Sequence, residues 1–466
     1  MKICVLNGSP KGTQSITMQY VRFLELAFPD HTFVIEDIGS RIAAIERDDK
    51  AFNKVIASVS AADAILFATP VYYMLVPAQL KRFIELVFAR NAVGDFSGKY
   101  AASLTTSIYF FDHTANAYLH AVGEDLGMKW AGSYSAKYDD LFLEKHQRNL
   151  VLFGQDFFDT AARRTEIQKT YPPADHESSE YRPGPVPLPF DAGNKNVLIL
   201  SDAAPGSNLE KMVTRAASCF GTAASIVPLE EAGIKGGCLG CCRCAFDNTC
   251  VYTDGFCRFF EETILPADII ICAGPVRDRY LSAAFKQFFD RSFYRGHVPY
   301  LTGKQVAFLV QGPLSRCSTL REILTAFVTL QGANPAGMVS DESPVSGLTD
   351  TRIDSLCERC LRLSESGYVA PAGFPRVGGH KVFRDEIWAH MRAVFKADHA
   401  YYTAHGMYDF PQNDLSGRIR TTLFGLFLSI PRVRKEAEQH MKEHMVEPFA
   451  RIFSESPILK ERMKKQ

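Results

Sequence analysis

Net charge is the first thing this sequence lacks. Lys and Arg number 52, Asp and Glu number 52, and no long run of one sign appears. A neutral chain has no electrostatic grip on a polyphosphate backbone, so nucleic acid is not an expected partner. Long hydrophobic runs are missing too: no apolar stretch is long enough to cross a bilayer, and no membrane span is expected. Residues 1–8 read straight into an apolar strand, without the h-region of a secretory signal. The expected setting is therefore cytoplasmic. There, the 12 Cys are thiols or metal ligands rather than a disulfide framework.

Half of those cysteines fall between Cys238 and Cys257. Four of them, Cys238, Cys241, Cys244 and Cys250, have the spacing C-x2-C-x2-C-x5-C. Three close thiolates and a fourth a few residues on can wrap an iron–sulfur cluster, with Gly236, Gly237 and Gly240 supplying backbone freedom. Zinc also accepts four thiolates, although its sites more often use two separated C-x2-C knuckles. An empty loop of free or oxidised thiols is the third reading, and all three stay open. Cys242 and Cys257 are spare thiols that could replace an assigned ligand.

At 466 residues the chain calls for two or three domains. Residues 2–7 form an apolar run that enters Gly8-Ser9-Pro10-Lys11 and then a helical pattern. Residues 64–68 and 100–104 are further buried-strand runs, ending in residues 69–74 and in Thr105-Thr106-Ser107. The plan then returns. Ala62, Asp63, Pro70, Val71, Ala78, Lys81, Phe83, Phe88, Gly98 and Lys99 each have an identical residue 205 positions later, without a gap. This is a tandem duplication. The expected divisions are a first α/β domain at 1–170, a proline-rich linker at 171–194, a second α/β domain at 195–367 and a helical region at 380–466. No third copy of the repeat is visible there.

The motifs Gly8-Ser9-Pro10-Lys11 with Ser15 and Thr17, and Pro70-Val71-Tyr72-Tyr73 with residues 77–81, resemble the NAD(P)H-dependent FMN reductases. The cysteine loop resembles the iron–sulfur flavoprotein branch of that group. The resemblance spans roughly residues 1–125 and 195–330. It implies two flavodoxin-like, doubly wound parallel sheets in three α/β/α layers. It also implies FMN held by Ser9, Lys11, Ser15 and Thr17 at its phosphate, by Pro70, Val71, Tyr72, Tyr73 and Met74 at its ring, and by Thr105, Thr106 and Ser107 closing the pocket. NAD(P)H would be the electron donor, with a 4Fe–4S cluster on the four cysteines as the relay. Ile16 departs from the family, which usually has a polar residue there. The second copy lacks the Gly-Ser-Pro order and the aromatic pair, so FMN is expected in the first. Arg277 and Arg279 stand in place of that pair and could reach an anionic group, although charged rim residues usually do nothing specific.

The expectation is an FMN-dependent oxidoreductase acting on a small-molecule or redox-protein acceptor, with no side chain assigned as catalytic acid or base. Such reductases commonly pair. The chain is expected to form either a homo-oligomer or an internal pseudo-dimer that brings the cysteine loop to the first-copy flavin. Two alternatives differ in class. One is a quinone, nitro or flavin reductase with an empty or zinc-filled loop, and the other a non-catalytic electron carrier or scaffold. Cys357 and Cys360 share a helix face, and Cys4, Cys219, Cys272 and Cys317 sit in apolar or turn contexts; all read as packed thiols. His440 and His444 are spaced for a metal but read as a solvated face. Residues 423–430 are apolar with flanking arginines; packing or a subunit interface is expected over a membrane-surface anchor.

Overall fold

The computed structural model describes residues 1–174, 179–186, 188–410 and 415–439. The first copy runs β1 (Lys2–Asn7), α1 (Ile16–Ala27), β2 (Thr32–Asp37), α2 (Ile38–Arg47), α3 (Asp49–Ser60), β3 (Ala64–Pro70), α4 (Ala78–Ala89), β4 (Tyr100–Ser107), α5 (Asp112–Asp125), β5 (Lys129–Lys137) and α6 (Glu144–Ala162). Its strands are parallel in the order β2-β1-β3-β4-β5, the doubly wound order of flavodoxins. Helices cover both faces, which is why β1, β3 and β4 are buried almost without interruption rather than on alternate residues.

The second copy repeats the plan with β6 (Val197–Ser201), α7 (Asn208–Phe220), β7 (Ala224–Pro228), α8 (Phe256–Phe259), β8 (Ile269–Arg277), the short β9 (Tyr280–Leu281), α9 (Ala283–Arg291), β10 (Gln305–Gln311), α10 (Ser318–Leu330), β11 (Asn334–Ser340) and α11 (Ser346–Glu365). Its strand order is β7-β6-β8-β10-β11, with β9 antiparallel to β8. The sequence offset of 205 is also the structural one: β3 and β8, α4 and α9, and β4 and β10 all begin 205 residues apart. Between β2 and β3 the first copy has α2 and α3, whereas between β7 and β8 the second has the cysteine loop and the short α8.

The inner face of each sheet contributes to one shared apolar cluster, which joins Leu80, Phe83 and Met74 of the first copy to Phe285, Phe289 and Phe327 of the second. The outer faces have separate cores. At the centre, α4 and α9 exchange helix caps. The Ala78 amide donates to Asp290 Oδ2 at 2.8 Å, and the Ala283 amide donates to Glu85 Oε1 at 2.7 Å. Each carboxylate thus meets the positive end of the opposite helix. Each is also paired with a buried lysine on its own helix, Lys81 with Glu85 and Lys286 with Asp290.

Beyond α11, α12 (Phe374–Glu386) continues through a π turn (Ile387–Met391) to α13 (Lys396–Ala404). Residues Met1–Tyr402 form one compact unit and Thr403–Gln466 a second. Within the second lie α14 (Leu415–Leu428), whose Leu423, Phe424, Leu426 and Phe427 are each more than half exposed, and α15 (Pro431–Gln439). His440 and His444 lie outside the described residues. Among the described residues, no helix is long and apolar enough to cross a membrane. Cys357 and Cys360 are fully buried on α11, and burial pushes the Cys360 thiol up to about 12, so they pack as core residues. Cys4, Cys219, Cys272 and Cys317 are buried as well.

Candidate functional site

A cavity of about 380 Å³ opens at the carboxyl edge of the first sheet. Its floor is the turn between β1 and α1. Ser15 caps α1 by accepting from the Met18 amide at 3.2 Å, and Ser9 Oγ accepts from the Lys11 amide at 3.3 Å. Thr17 Oγ1 lies 2.6 Å from Thr106 Oγ1, tying the first helical turn to the end of β4. Ser9, Lys11, Ser15, Ile16 and Thr17 all line the cavity.

Its wall is the turn after β3. Tyr72 and Leu75 exchange backbone hydrogen bonds of 2.8 and 3.1 Å, which forces Tyr73 and Met74 to positive φ values of 39° and 65°. A tight two-residue turn of this hand normally uses Asn and Gly, because other residues carry strain there. Two groups hold the turn in place: Thr114 Oγ1 donates to Met74 O at 2.6 Å, and Lys286 Nζ donates to Tyr72 O at 2.8 Å. The second copy keeps the geometry without the residues. Asp278 and Arg279, 205 positions on, have φ values of 45° and 67°.

Of the twelve residues expected at this pocket, eleven line it. Thr105 does not. Its hydroxyl is buried and accepts from Asn116 Nδ2 of α5 at 3.1 Å. The cavity also takes residues that sequence reasoning did not single out: Phe110 and Tyr138 of the first copy, Phe293 and His297 of the second, and Phe383 and Glu386 of α12.

The cysteine loop forms the far wall. Cys238, Cys242 and Cys244 line the same cavity, and Gln79 Nε2 donates to Cys238 O at 3.1 Å. Gly240, at φ +62°, lies so close that an added Cβ would stand 1.8 Å from Tyr72 Oη and 3.3 Å from Lys11 Cε. Behind this wall a smaller cavity of about 30 Å³ is lined by Cys238, Cys241, Cys242, Cys244 and Cys250. A single clasp joins both ends of the loop. Arg291 makes two hydrogen bonds to Asp254, of 2.7 and 2.9 Å, and a third to Gly236 O at 3.0 Å. Burial alone would raise the Asp254 carboxyl, but Arg291 and the amides of Lys235 and Phe256 hold it at about 2.

Burial pushes the Cys238 and Cys244 thiols up to about 12, whereas Cys250 is drawn below the usual thiol range by a hydrogen bond from Cys257 and by Arg291. The donor set suits a thiolate-bound cluster in kind, since five cysteines line one small cavity. As the loop stands the side chains do not converge: among the described residues, no three His, Cys, Asp or Glu are grouped closely enough to hold a metal ion.

At the matching edge of the second sheet the chain's own linker intervenes. Asn208, the counterpart of Ile16, donates to Ser179 O at 2.8 Å and accepts from the Tyr181 amide at 2.9 Å. It also donates to buried Asp341, whose other oxygen accepts from the Gly312 amide. Arg277 stands where the first copy has Tyr72, and Arg279 is spent on a bidentate pair with Asp125 and a bond to Pro172 O.

The sequence profile of the NADPH-dependent FMN reductases matches residues 1–136 and 195–340, one segment in each copy. Comparison with curated proteins returns no match. Among solved structures, the chain is similar to the NAD(P)H:acceptor oxidoreductase FerB of Paracoccus denitrificans, at 18% identity and TM-score 0.26 over 34% of this chain and 97% of that one. It is also similar to an FMN-dependent NADH-azoreductase of Bacillus anthracis, at 11% identity and TM-score 0.26 over 36% and 100%. A third is a WrbA-like flavodoxin of Agrobacterium tumefaciens, at 17% identity and TM-score 0.26 over 35% and 97%. With both copies matched and both sheets in flavodoxin order, the chain belongs to the NADPH-dependent FMN reductase family and is an NAD(P)H-dependent FMN oxidoreductase.

Proposed function

We propose that the first-copy cavity is the flavin site and that the cysteine loop is its electron outlet. The observation carrying this reading is that one cavity is lined both by the β1–α1 and β3–α4 turns and by Cys238, Cys242 and Cys244. The phosphate of FMN would lie at the N-terminus of α1, where backbone amides, the Ser9, Ser15 and Thr17 hydroxyls and the Lys11 ammonium favour a dianion. The flat ring would lie against residues 70–74, whose turn is held rigid by Thr114 and Lys286. FMN held there would supply hydride acceptance from NAD(P)H and one-electron release. The protein's part is to hold the ring, exclude water and bring the outlet close.

For the outlet, Cys238, Cys241, Cys244 and Cys250 are the proposed ligands of an iron–sulfur cluster. Their support is the spacing and the small cavity they share. In the second copy the linker and the buried Asp341 carboxylate disfavour a phosphate, so the reading is one flavin per chain. The chain's two copies then serve as flavin holder and relay, an internal pseudo-dimer. The physiological acceptor is a small molecule or a redox protein.

Anaerobic purification with an absorption spectrum and iron, zinc and sulfide analysis tests this directly. The expected result is one flavin with stoichiometric iron and sulfide. Flavin without iron would remove the cluster and leave a flavin-only reductase; neither flavin nor iron would remove the reading altogether.

A further inference from the structure

Five aromatic rings form a continuous collar around the flavin cavity. Tyr73 meets Phe293 at 4.6 Å between ring centroids, and Phe293 meets His297 at 5.3 Å. His297 stacks on Phe383 at 4.0 Å with the planes 27° apart, and Phe383 meets Phe110 at 5.1 Å. All five rings line the cavity. They come from three parts of the chain: Tyr73 and Phe110 from the first copy, Phe293 and His297 from the second, and Phe383 from α12. That helix lies beyond residue 340, where the family match ends.

His297 is the nitrogen-bearing member of the collar, and it is held in place. Its Nδ1 lies 3.3 Å from Asp398 Oδ2, and its backbone amide donates to Asp398 Oδ1 at 2.9 Å. Asp398 is 1% exposed, and Tyr402 Oη adds a bond to His297 O at 3.0 Å. With Nδ1 turned to the carboxylate, Nε2 is the ring nitrogen left for a ligand, accepting when the imidazole is neutral and donating when it is protonated. A fixed ring with one polar edge, set among apolar rings, suits a flat aromatic molecule that carries polar substituents.

We propose that this collar is the electron-acceptor site and selects a flat aromatic acceptor bearing carbonyl oxygens. Phe383 of the C-terminal extension supplies the stacking face, and His297, as the imidazolium paired with Asp398, donates from Nε2 to the carbonyl oxygen. The inference rests on the flavin reading above. It goes further in assigning specificity to a helix that the family match does not include. Asp398 acts through His297 and is a positioning residue.

The test uses the flavin-loaded full chain, with 1,4-naphthoquinone as probe and ferricyanide as a non-aromatic acceptor. Binding of naphthoquinone to oxidised protein, without NAD(P)H, is read from the change it causes in the flavin absorption bands. Phe383→Leu keeps apolar bulk but removes the ring, and is expected to weaken naphthoquinone binding about tenfold. Its KM for naphthoquinone should rise far more than its KM for ferricyanide, and Phe383→Tyr should restore both. His297→Phe keeps a ring without the polar edge, and should weaken naphthoquinone while leaving naphthalene binding as it was. Equal losses for both acceptors, a loss confined to the KM of NAD(P)H, or loss of the flavin itself in Phe383→Leu would each overturn the proposal. Wild-type protein that purifies without flavin would sink the parent reading together with this one. A flavin-loaded wild type whose variants do not separate the acceptors sinks this one alone.

Discussion

Gly240 is the residue at which the proposed flavin site and the cysteine loop touch. It carries a positive φ and sits where a side chain would collide with the Tyr72 hydroxyl. Gly240→Ala should therefore lose about 1 kcal/mol or more in denaturant unfolding from backbone strain. It should also loosen flavin about tenfold, since roughly 1.4 kcal/mol of displaced contact is a factor of ten. Adding Tyr72→Phe removes the colliding oxygen; fluorescence titration of the double variant should show flavin affinity recovered, while the unfolding midpoint stays low. A second prediction concerns Asp254. Its folded carboxyl is held at about 2, below the ordinary 3.8, so its contribution to stability is present above pH 4 and is lost as pH falls toward 2. Asp254→Asn should flatten that acid limb of the stability profile, measured by urea midpoints between pH 2 and 5. A limb as steep as the wild type's would refute the clasp.

At the scale of elements, α4 and α9 are bound by reciprocal carboxylates, and each carboxylate is buried beside a lysine. Asp290 is fully buried, so Asp290→Asn would leave Lys286 without its counter-charge in the core. Removing one partner of such a pair costs about 3–5 kcal/mol, whereas replacing both by apolar residues is often neutral. Denaturant unfolding of Asp290→Asn against the double variant Lys286→Met, Asp290→Leu should show that order, with the single variant the less stable. Much at this scale was legible in advance. The unbroken offset between Pro70 and Pro275 gave the starts of β3, β8, α4, α9, β4 and β10, because core strands and helices tolerate few insertions. The same matching marked Lys81 and Lys286 as equivalent. It did not show that their helices cap each other, since that exchange exists only once the copies face one another. Thr105 was grouped with Thr106 and Ser107 because its hydroxyl's partner, Asn116 of α5, comes into reach only in the folded chain. The strained turn at Tyr73 and Met74 left no trace either, as neither is a residue that such a turn selects.

Over the whole molecule, the two sheets pack their inner faces into a single apolar cluster. Residues 1–402 should accordingly unfold as one cooperative transition, with far-ultraviolet circular dichroism and tyrosine fluorescence giving the same midpoint. Two separated midpoints would mean that the copies are energetically independent. The aromatic collar was beyond sequence reasoning for a related cause. Phe383 belongs to no repeat, and an aromatic residue on an amphipathic helix reads as core until the helix has somewhere to lie.

The linker bonded to Asn208 has a consequence for how the second copy meets cofactor. A tethered segment faces its own site at an effective concentration on the order of millimolar. A free flavin at micromolar levels must compete against that, through a site lined by a buried carboxylate. Adding more flavin would then do little to load the second copy, and a substitution at Asn208 would be needed to change the occupancy ratio. The asymmetry between the copies would be set by chain connectivity, and so would be insensitive to how much cofactor is supplied.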